Sequence, residues 1–198
     1  WISRSLKPGQ VFLDIGANIG VFSLYAALYK DIKVVALEPS SESFATLNAN
    51  IRLNGLEKKI DTYCMGASNK TKLTKLFMKD SSSGSSHNSV EKPENQFGSY
   101  KAKDQQAIIA IKLDDLVGLE GSLKPDHIKI DVDGNEPEII QGGKEVLKNT
   151  QSVLIEIEGK NLSNNFEMIN SSLKEAGLKE DETWRNKGSG RNRLFVRS

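Results

Sequence analysis

The sequence predicts an α/β fold with a doubly wound, mostly parallel sheet of seven main strands that ends in an antiparallel hairpin. Two observations predict it: apolar runs alternate with helix-like segments over residues 11–65, and the alternation returns over 127–176. Such alternation is typical of parallel strands joined by helical crossovers. A third observation is length, because 198 residues suffice for one sizeable core but not for two ordinary domains. We therefore expect a single domain over 1–198.

The front of the chain has the pattern β–α–β–α–β. Apolar runs at Val11–Ile15 and Lys33–Leu37 predict two short buried strands. Residues 18–30 between them have helical composition, and 40–54 space their apolar side chains by three and four before a glycine. A third strand is predicted within 60–65. Right-handed crossovers would place these strands side by side in one parallel sheet.

The middle of the chain departs from this alternation. Strands are predicted at 73–79 and 106–111, and residues 112–116 resemble the start of a short helix. Between the two strands, residues 80–104 are rich in serine and lysine and poor in aliphatic side chains. A segment this long is unusual as a simple connection. We expect an inserted β segment whose long loop, 80–104, is a flexible insertion or a lid.

The last part of the chain resumes the alternation and then ends in a hairpin. Its predicted elements are the strands His127–Asp131 and Val153–Ile157, helices within 136–148 and 161–176, and hairpin strands at 183–185 and 193–197.

Composition excludes several classes of function. The net charge is +1, which does not favour binding to nucleic acid or to an anionic membrane. No run of about 18 apolar residues is present, so we expect no membrane-spanning helix in these residues. A single cysteine, Cys64, excludes an internal disulfide and a multi-cysteine metal site. It also agrees with a reducing compartment, and we expect a cytoplasmic location.

The first chemical motif is the turn after the first strand, in "VFLDIGANIG". A P-loop would need a lysine that is missing here, and a dinucleotide fingerprint would need glycines spaced as GxGxxG rather than as Gly16 and Gly20. Asp14 precedes both glycines, and its carboxylate would repel a pyrophosphate. A ligand that carries an ammonium, a sulfonium and its own carboxylate fits better, as S-adenosylmethionine does. The carboxylate would then bind backbone N–H groups of 16–20.

A second acid follows the second predicted strand. Glu38 lies 24 residues after Asp14 and directly before Pro39. An acid at this place in a doubly wound sheet binds the hydroxyls of an unphosphorylated ribose. The competing explanation is that both acids only cap helices and that the glycines only turn the chain. Two acids at the ends of consecutive strands in one crevice favour the ligand, because such crevices bind ligands in open α/β sheets.

Four segments now show a resemblance to a known family. "FLDIGANIGVFSLYAA", "ALEPSSESFATLNANIRLNG", "IKLDDL" and "IKIDVDGNEPEIIQGG" together resemble the FkbM-type family of class I S-adenosylmethionine-dependent methyltransferases. The segments occur in the family's order and at its usual separations, and the resemblance extends over about 9–196. The D-x-G-x-x-x-G turn is common to many methyltransferases, whereas the fourth segment is more diagnostic. One departure is Asp133, where glutamate is more usual.

The resemblance implies a Rossmann-like methyltransferase sheet and methyl transfer to oxygen, commonly to a hydroxyl of a sugar or a glycosylated metabolite. It also implies roles for individual residues. Cofactor contacts would come from Asp14, Gly16, Ala17, Asn18 and Gly20 at the methionine part, Glu38 and Pro39 at the ribose, Met65, Gly66 and Ala67 at the adenine, and Asp131 at the reactive end.

Acids near the reactive end are candidates for the chemistry. Transfer to a hydroxyl needs a proton acceptor or stabilisation of the developing charge, because a hydroxyl has a high pKa. Asp131 is the first candidate, and Glu136 or Glu158 is the second. His87, within the insertion, is a further candidate. The competing role for Asp131 is a contact to the cofactor or to a helix end without proton transfer.

The sequence thus predicts an S-adenosylmethionine-dependent O-methyltransferase with a small-molecule hydroxyl acceptor as its partner. A divalent metal is a rival explanation for clustered acids, but the placement of the acids does not favour it, and we expect no metal site. Two other functions stay open. One is a nicotinamide-dependent oxidoreductase on the same sheet, and the other is a non-catalytic S-adenosylmethionine-binding module.

Overall fold

The structure is a computed structural model that describes residues 1–85, 88–121, 123–158, 162–187 and 190–197. Strands within these ranges are β1 (Val11–Ile15), β2 (Lys33–Leu37), β3 (Ile60–Tyr63), β4 (Gly66–Ala67), β5 (Lys72–Met78), β6 (Ser89–Val90), β7 (Glu94–Asn95), β8 (Gly98–Ser99), β9 (Asp104–Ile111), β10 (His127–Ile130), β11 (Ser152–Glu156), β12 (Leu178–Glu180) and β13 (Asn192–Arg197). The helices are α1 (Ile2–Ser5), α2 (Val21–Lys30), α3 (Ser41–Leu53), α4 (Leu113–Glu120), α5 (Glu136–Gly142), α6 (Lys144–Leu147), α7 (Leu162–Glu175) and α8 (Glu182–Arg185).

Seven strands form the main sheet, in the order β12-β13-β11-β10-β1-β2-β3. The five strands from β11 to β3 are parallel to one another, while β13 is antiparallel to both β11 and β12. The order reverses at β1, whose neighbours are β2 on one side and β10 on the other. This doubly wound α/β sheet with an antiparallel C-terminal pair confirms the predicted fold class.

Both faces of the sheet are buried by helices, which explains the apolar runs. On one face, Leu13 and Ile128 belong to a core cluster that includes residues from α4 to α7. On the other face, Phe12 and Leu154 belong to a cluster with residues from α1 to α3. Alternate residues of a strand point to opposite faces. Asp14, Lys129 and Glu156 therefore share the face of the second cluster, at the carboxyl ends of their strands.

The terminal hairpin is built from other residues than the sequence suggests. Residues 183–185, predicted as a strand, belong to helix α8, and the strand that pairs with β13 is β12 at 178–180. Asp181 explains the difference, since its carboxylate accepts the backbone N–H groups of Thr183 and Trp184 and caps the helix. The helix predicted within 136–148 is divided at Gly143 into α5 and α6. Asn161, where a helix was predicted to begin, lies outside the described residues.

The middle of the chain forms a second layer of short strands. Strands β4, β9, β5 and β6 make a four-stranded sheet in that order, and β7 pairs with β8 in a small hairpin. Residues from 80–104 reach from this sheet toward the carboxyl ends of the main strands. Among the described residues, no helix has the length and apolar character needed to cross a bilayer.

Candidate cofactor and acceptor site

A cavity of about 310 Å³ lies at the carboxyl ends of β1, β2, β10 and β11. This is where open α/β sheets bind ligands, since the connections diverge where the strand order reverses. Eight of the eleven predicted cofactor residues line it: Gly16, Asn18, Glu38, Pro39, Met65, Gly66, Ala67 and Asp131. Asp14, Ala17 and Gly20 do not. Two of the three predicted catalytic acids, Asp131 and Glu158, also line the cavity, whereas Glu136 does not.

The glycine turn brings the backbone of β1 against the end of β10. Gly16 has a φ of +75°, and a Cβ there would lie 2.1 Å from the carbonyl oxygen of Asp131. A side chain would therefore both strain the backbone and overlap it. Because Gly16 and Asp131 both line the cavity, a ligand lying on the turn also lies beside Asp131.

Four backbone N–H groups of the turn have hydrogen-bond acceptors within the protein. Gly16 and Ala17 both donate to the carbonyl of Leu37 at 3.0 Å, and Gly20 donates to Ala17 at 2.8 Å. Asn18 donates to Glu38 Oε2 at 2.8 Å. The protein itself therefore uses these four groups, three at the end of β2 and one within the turn, and contact between the turn and a ligand carboxylate stays a prediction.

Asp14 lies in β1 and does not line the cavity. It is fully buried, and its Oδ2 accepts the Ser23 hydroxyl at 2.6 Å. Its Oδ1 has no hydrogen-bond donor among the described residues and lies 3.6 Å from Lys129 Nζ. A cation thus already faces Asp14 inside the protein. Contact between Asp14 and a ligand ammonium stays a prediction.

Lys129 is the residue near the site that sequence reasoning missed. Its side chain is only 3% exposed, and its Nζ lies 3.0 Å from Asp131 Oδ2 and 4.7 Å from the centre of the Phe22 ring. Register places it directly beside Asp14 in the neighbouring strand. A lysine in the otherwise apolar strand "HIKI" was the available signal, because charged side chains are buried only when paired.

Glu38 has a fixed carboxylate that can accept hydrogen bonds from the hydroxyls of a ribose. Its Oε1 accepts the backbone N–H of Ser40 at 2.9 Å, and its Oε2 accepts that of Asn18. These bonds fix the carboxylate and leave further lone pairs for hydroxyl donors. Burial raises the pKa of Glu38 to about 7, although the two N–H donors oppose this shift.

Buried polar atoms without partners lie at the same cavity. Asn18 and Asn88 both line it, and the Oδ1 of each has no hydrogen-bond donor within the described ranges. Buried polar atoms are nearly always satisfied, so such atoms at a cavity indicate a place for donors from a ligand. Together with the turn at Gly16 and the fixed carboxylate of Glu38, they fit a nucleoside with an amino-acid arm, as in S-adenosylmethionine.

The other end of the cavity is rich in carboxyl groups. Asp131, Asp133, Glu156 and Glu158 line it together with Arg191. Register pairs Ile130 with Ile155, so Asp131 and Glu156 follow side by side. Burial, followed by repulsion from Asp131, raises the pKa of Glu156 to about 7. Of the two glutamates, sequence reasoning placed only Glu158 among the catalytic candidates, and it missed Arg191.

Glu136 has a different environment. It is 7% exposed, begins α5, and lies 3.4 Å from the backbone nitrogen of Gly134 through its Oε1. Burial raises its pKa to about 8, and the nearby Asp133 and Asp131 add smaller effects in the same direction. Since it lies outside the cavity lining, direct proton transfer by Glu136 stays a prediction without geometric support.

The inserted segment crosses the cavity from one end to the other. The Asn18 amide donates to the carbonyls of Gly84 and Ser85 at 3.4 and 3.3 Å. At the far end, Gln96 donates to Asp133 Oδ1 at 3.4 Å and to Glu158 Oε1 at 3.1 Å. The insertion thus contacts both the end of the cavity that holds Glu38 and the end that is rich in carboxyl groups. His87 lies outside the described residues.

No cluster of three or more His, Cys, Asp or Glu side chains with the arrangement of a metal site occurs among the residues that the structure describes.

Comparisons with known proteins agree with this geometry. Residues 14–179 match the family model described as the methyltransferase FkbM domain. A curated relative from Streptomyces tacrolimicus, the 31-O-demethyl-FK506 methyltransferase FkbM, is 28% identical over 158 residues, which are 69% of this chain and 60% of the relative. The chain thus spans less than two thirds of that relative's length.

Solved structures show the same fold. Methyltransferase FkbM from Methylobacillus flagellatus KT superimposes with a TM-score of 0.60 at 16% identity, covering 95% of this chain and 43% of that one. P. horikoshii TYW2 in complex with MeSAdo gives a TM-score of 0.50 at 18% identity, covering 98% and 58%. The family model covers most of the chain, from the aspartate before the glycine turn to the strand that pairs with β13. The chain therefore belongs to the FkbM family of S-adenosylmethionine-dependent methyltransferases.

Proposed function

We propose that this chain is an O-methyltransferase that uses S-adenosylmethionine to methylate a hydroxyl of a small molecule, carried by a sugar or a glycosylated metabolite. The observation that supports this most is a single cavity with a ribose-type carboxylate, Glu38, at one end and several carboxyl groups at the other. The first end suits the cofactor. The second end suits an acceptor that must lose a proton.

The cofactor residues have distinct tasks in this proposal. Glu38 accepts the ribose hydroxyls, Gly16 permits close approach beside Asp131, and Met65 to Ala67 flank the adenine. Bound S-adenosylmethionine supplies a methyl group on a positively charged sulfur, which is already a strong electrophile. The protein then has two tasks, which are to orient the acceptor oxygen and to receive its proton. Asp131 and Glu158 are the predicted catalytic acids that line the cavity.

A neighbouring cleft supports a polyhydroxylated acceptor. This cleft of about 610 Å³ shares Val90 and Asn135 with the first cavity and is also lined by Asn95, Gln96 and Asn165. Asn95 is 8% exposed, and its Nδ2 has no hydrogen-bond acceptor among the described residues. Amide side chains both donate and accept, as hydroxyl recognition requires.

One comparison and two features of this sequence bear on the acceptor and the location. The Streptomyces relative is named for a small-molecule substrate, 31-O-demethyl-FK506, which supports a small-molecule acceptor here rather than nucleic acid. The near-neutral charge agrees with that choice. Cys64, the single cysteine, is exposed and unpaired, and we place the protein in the cytoplasm on this basis.

The test has two stages. S-adenosylhomocysteine should raise the melting temperature of the parent protein, and Glu38→Ala should abolish that rise, because the ribose loses its acceptor. NADH in a parallel sample should have no effect, and stabilisation by NADH alone would favour an oxidoreductase.

Hydroxylated sugars and glycosylated metabolites are then screened with radiolabelled S-adenosylmethionine. Transfer of label to such a compound supports the proposal, whereas label in amines or nucleic acid, or in no acceptor at all, contradicts it.

A further inference from the structure

Glu156 is a carboxyl group at the acceptor end to which the proposed function gives no task. It is the last residue of β11 and lies beside Asp131, which follows the paired strand β10. Both line the cavity, and the register that pairs Ile130 with Ile155 places the two residues side by side. Two facing carboxyl groups cannot both ionise without repulsion.

The cations near this pair lie closer to other carboxylates than to Glu156. Lys129 Nζ lies 3.0 Å from Asp131 Oδ2 and 3.6 Å from Asp14 Oδ1. Arg191 Nη1 lies 3.1 Å from Glu158 Oε2, whereas its Nε lies 4.0 Å from Glu156 Oε1.

Within the described residues, Asp131 and Glu158 thus each have a close cation, and Glu156 has only the longer contact. Asp133, on the same side of the cavity, adds more negative charge. The proton of the cluster therefore belongs on Glu156, in agreement with its raised pKa.

We propose that Glu156 holds a proton beside Asp131 in the free protein, and that Glu156 releases this proton when the sulfonium of S-adenosylmethionine binds. Glu156 is then ionised and receives the proton of the acceptor hydroxyl. The inference rests on the proposed function, because the final proton comes from the hydroxyl acceptor.

The covalent structure of S-adenosylmethionine explains why its binding releases the proton of Glu156. Its sulfonium lies between the ribose, assigned to Glu38, and the amino-acid arm, assigned to the turn at Gly16. Because Gly16 abuts Asp131, the positive charge enters on the Asp131 side of the cavity. A cation near Glu156 favours its ionised form. S-adenosylhomocysteine has the same ribose and arm but a neutral sulfur, so it should leave the proton in place.

The charges balance over one cycle. Binding of a cation and loss of a proton leave the total charge of the site unchanged. During transfer, the acceptor O–H bond breaks and its proton goes to Glu156, an oxygen lone pair forms the O–CH₃ bond, and the pair of the breaking C–S bond goes to sulfur. The positive charge on sulfur disappears as Glu156 becomes neutral again. The site therefore holds the same net charge before and after transfer.

Isothermal titration calorimetry tests this without an acceptor. S-adenosylmethionine and S-adenosylhomocysteine are titrated into the protein at pH 7 in buffers of different ionisation enthalpy, which reports the protons exchanged. Because the pKa of Glu156 is about 7, about half of the protein molecules carry this proton at pH 7. We therefore expect S-adenosylmethionine to release roughly half a proton more than S-adenosylhomocysteine does. Its affinity relative to S-adenosylhomocysteine should rise about tenfold from pH 6 to pH 8.

Two variants locate the proton. Glu156→Gln should abolish the difference between the two ligands while it retains S-adenosylhomocysteine binding and the melting temperature. Glu42→Gln, an exposed carboxylate of α3 outside the cavity, is the matched control and should retain the difference. Protonation changes of the ligands themselves are common to all three proteins and cancel.

The outcomes separate the two proposals. Equal proton release by both ligands in the parent protein would overturn the inference, and so would a difference that persists in Glu156→Gln. Failure of both ligands to bind would overturn the proposed function and this inference with it. A confirmed proton difference with no hydroxyl acceptor in the labelling screen would overturn the proposed acceptor and the transfer of its proton to Glu156, but not the release of a proton when the cofactor binds.

Discussion

The two ends of the cavity differ in how the protein holds a carboxylate. At the cofactor end, backbone N–H groups of Ser40 and Asn18 fix Glu38. At the acceptor end, Glu156 faces another carboxylate, and its cation contact is 4.0 Å long. The first arrangement is rigid and suited to hydrogen bonding with a constant ligand. The second depends on the charge that enters the cavity, which suits a proton that must move.

The largest expected effect concerns the turn that joins the two ends. Gly16→Ala should unfold the protein or lower its free energy of unfolding by more than about 4 kcal/mol, because the new Cβ overlaps the Asp131 carbonyl. Chemical denaturation and binding of S-adenosylhomocysteine are the measurements. Gly9→Ala is the matched control, since Gly9 has a φ of +81° with nothing within 4 Å. It should cost only about 1–2 kcal/mol. Equal costs would show that the close approach does not matter.

The next effect tests the buried cation between the ends. Lys129→Met leaves Asp14 buried without its cation and should cost about 3–5 kcal/mol in the free energy of unfolding. The double variant with Asp14→Asn removes both charges and should cost less than the sum of the single variants, by at least about 1 kcal/mol. Urea denaturation of the four proteins measures the coupling. Additive costs would contradict an ion pair between these side chains.

The third effect is a pH dependence from the acid behind the acceptor end. The pKa of Glu136 is raised from 4.5 to about 8, chiefly by burial. A raised pKa in the folded state means stability that is present below pH 4.5 and lost as the pH rises through 8. Glu136→Gln should therefore remove about 3 kcal/mol of the decline in unfolding free energy between pH 5 and pH 8. Identical pH profiles for the parent and the variant would contradict this assignment.

The smallest effect concerns the insertion that spans both ends. Gln96→Ala removes its hydrogen bonds to Asp133 and Glu158, and should change the free energy of unfolding by less than about 1 kcal/mol. Cleavage within 80–104 by a dilute protease should become several-fold faster, because the segment opens locally more often. Gln105→Ala, whose exposed side chain contacts Lys75, is the control and should not change the cleavage rate. Equal rates would show that Gln96 does not anchor the segment.

The cofactor end was predictable because its residues are local in sequence. Asp14 and Gly16 lie at the end of β1 and Glu38 directly follows β2. A parallel sheet must bring the ends of such consecutive strands together. Strands Val11–Ile15 and Lys33–Leu37 have the predicted bounds, since their apolar runs are buried on both faces.

The acceptor end was less predictable because its residues are distant in sequence. Arg191 reaches Glu158 only because β13 lies antiparallel beside β11. The pairing of Lys129 with Asp14 depends on the register of two strands that are more than one hundred residues apart. Local patterns carry no information about such contacts. Helix α8 was not predicted because the pattern of 183–185 resembles a strand. The helix depends on Asp181, which caps its N-terminus.

The position of β13 has a consequence for how the molecule is made. This strand follows all other strands of the main sheet in the chain, yet it lies between β11 and β12. During synthesis on the ribosome, β12 emerges earlier but has no neighbour in this sheet until β13 is released. The acceptor end, which Arg191 borders, is thus among the last parts of the site to assemble. A nascent chain could hold a nearly complete nucleoside crevice before it can arrange the groups that move a proton.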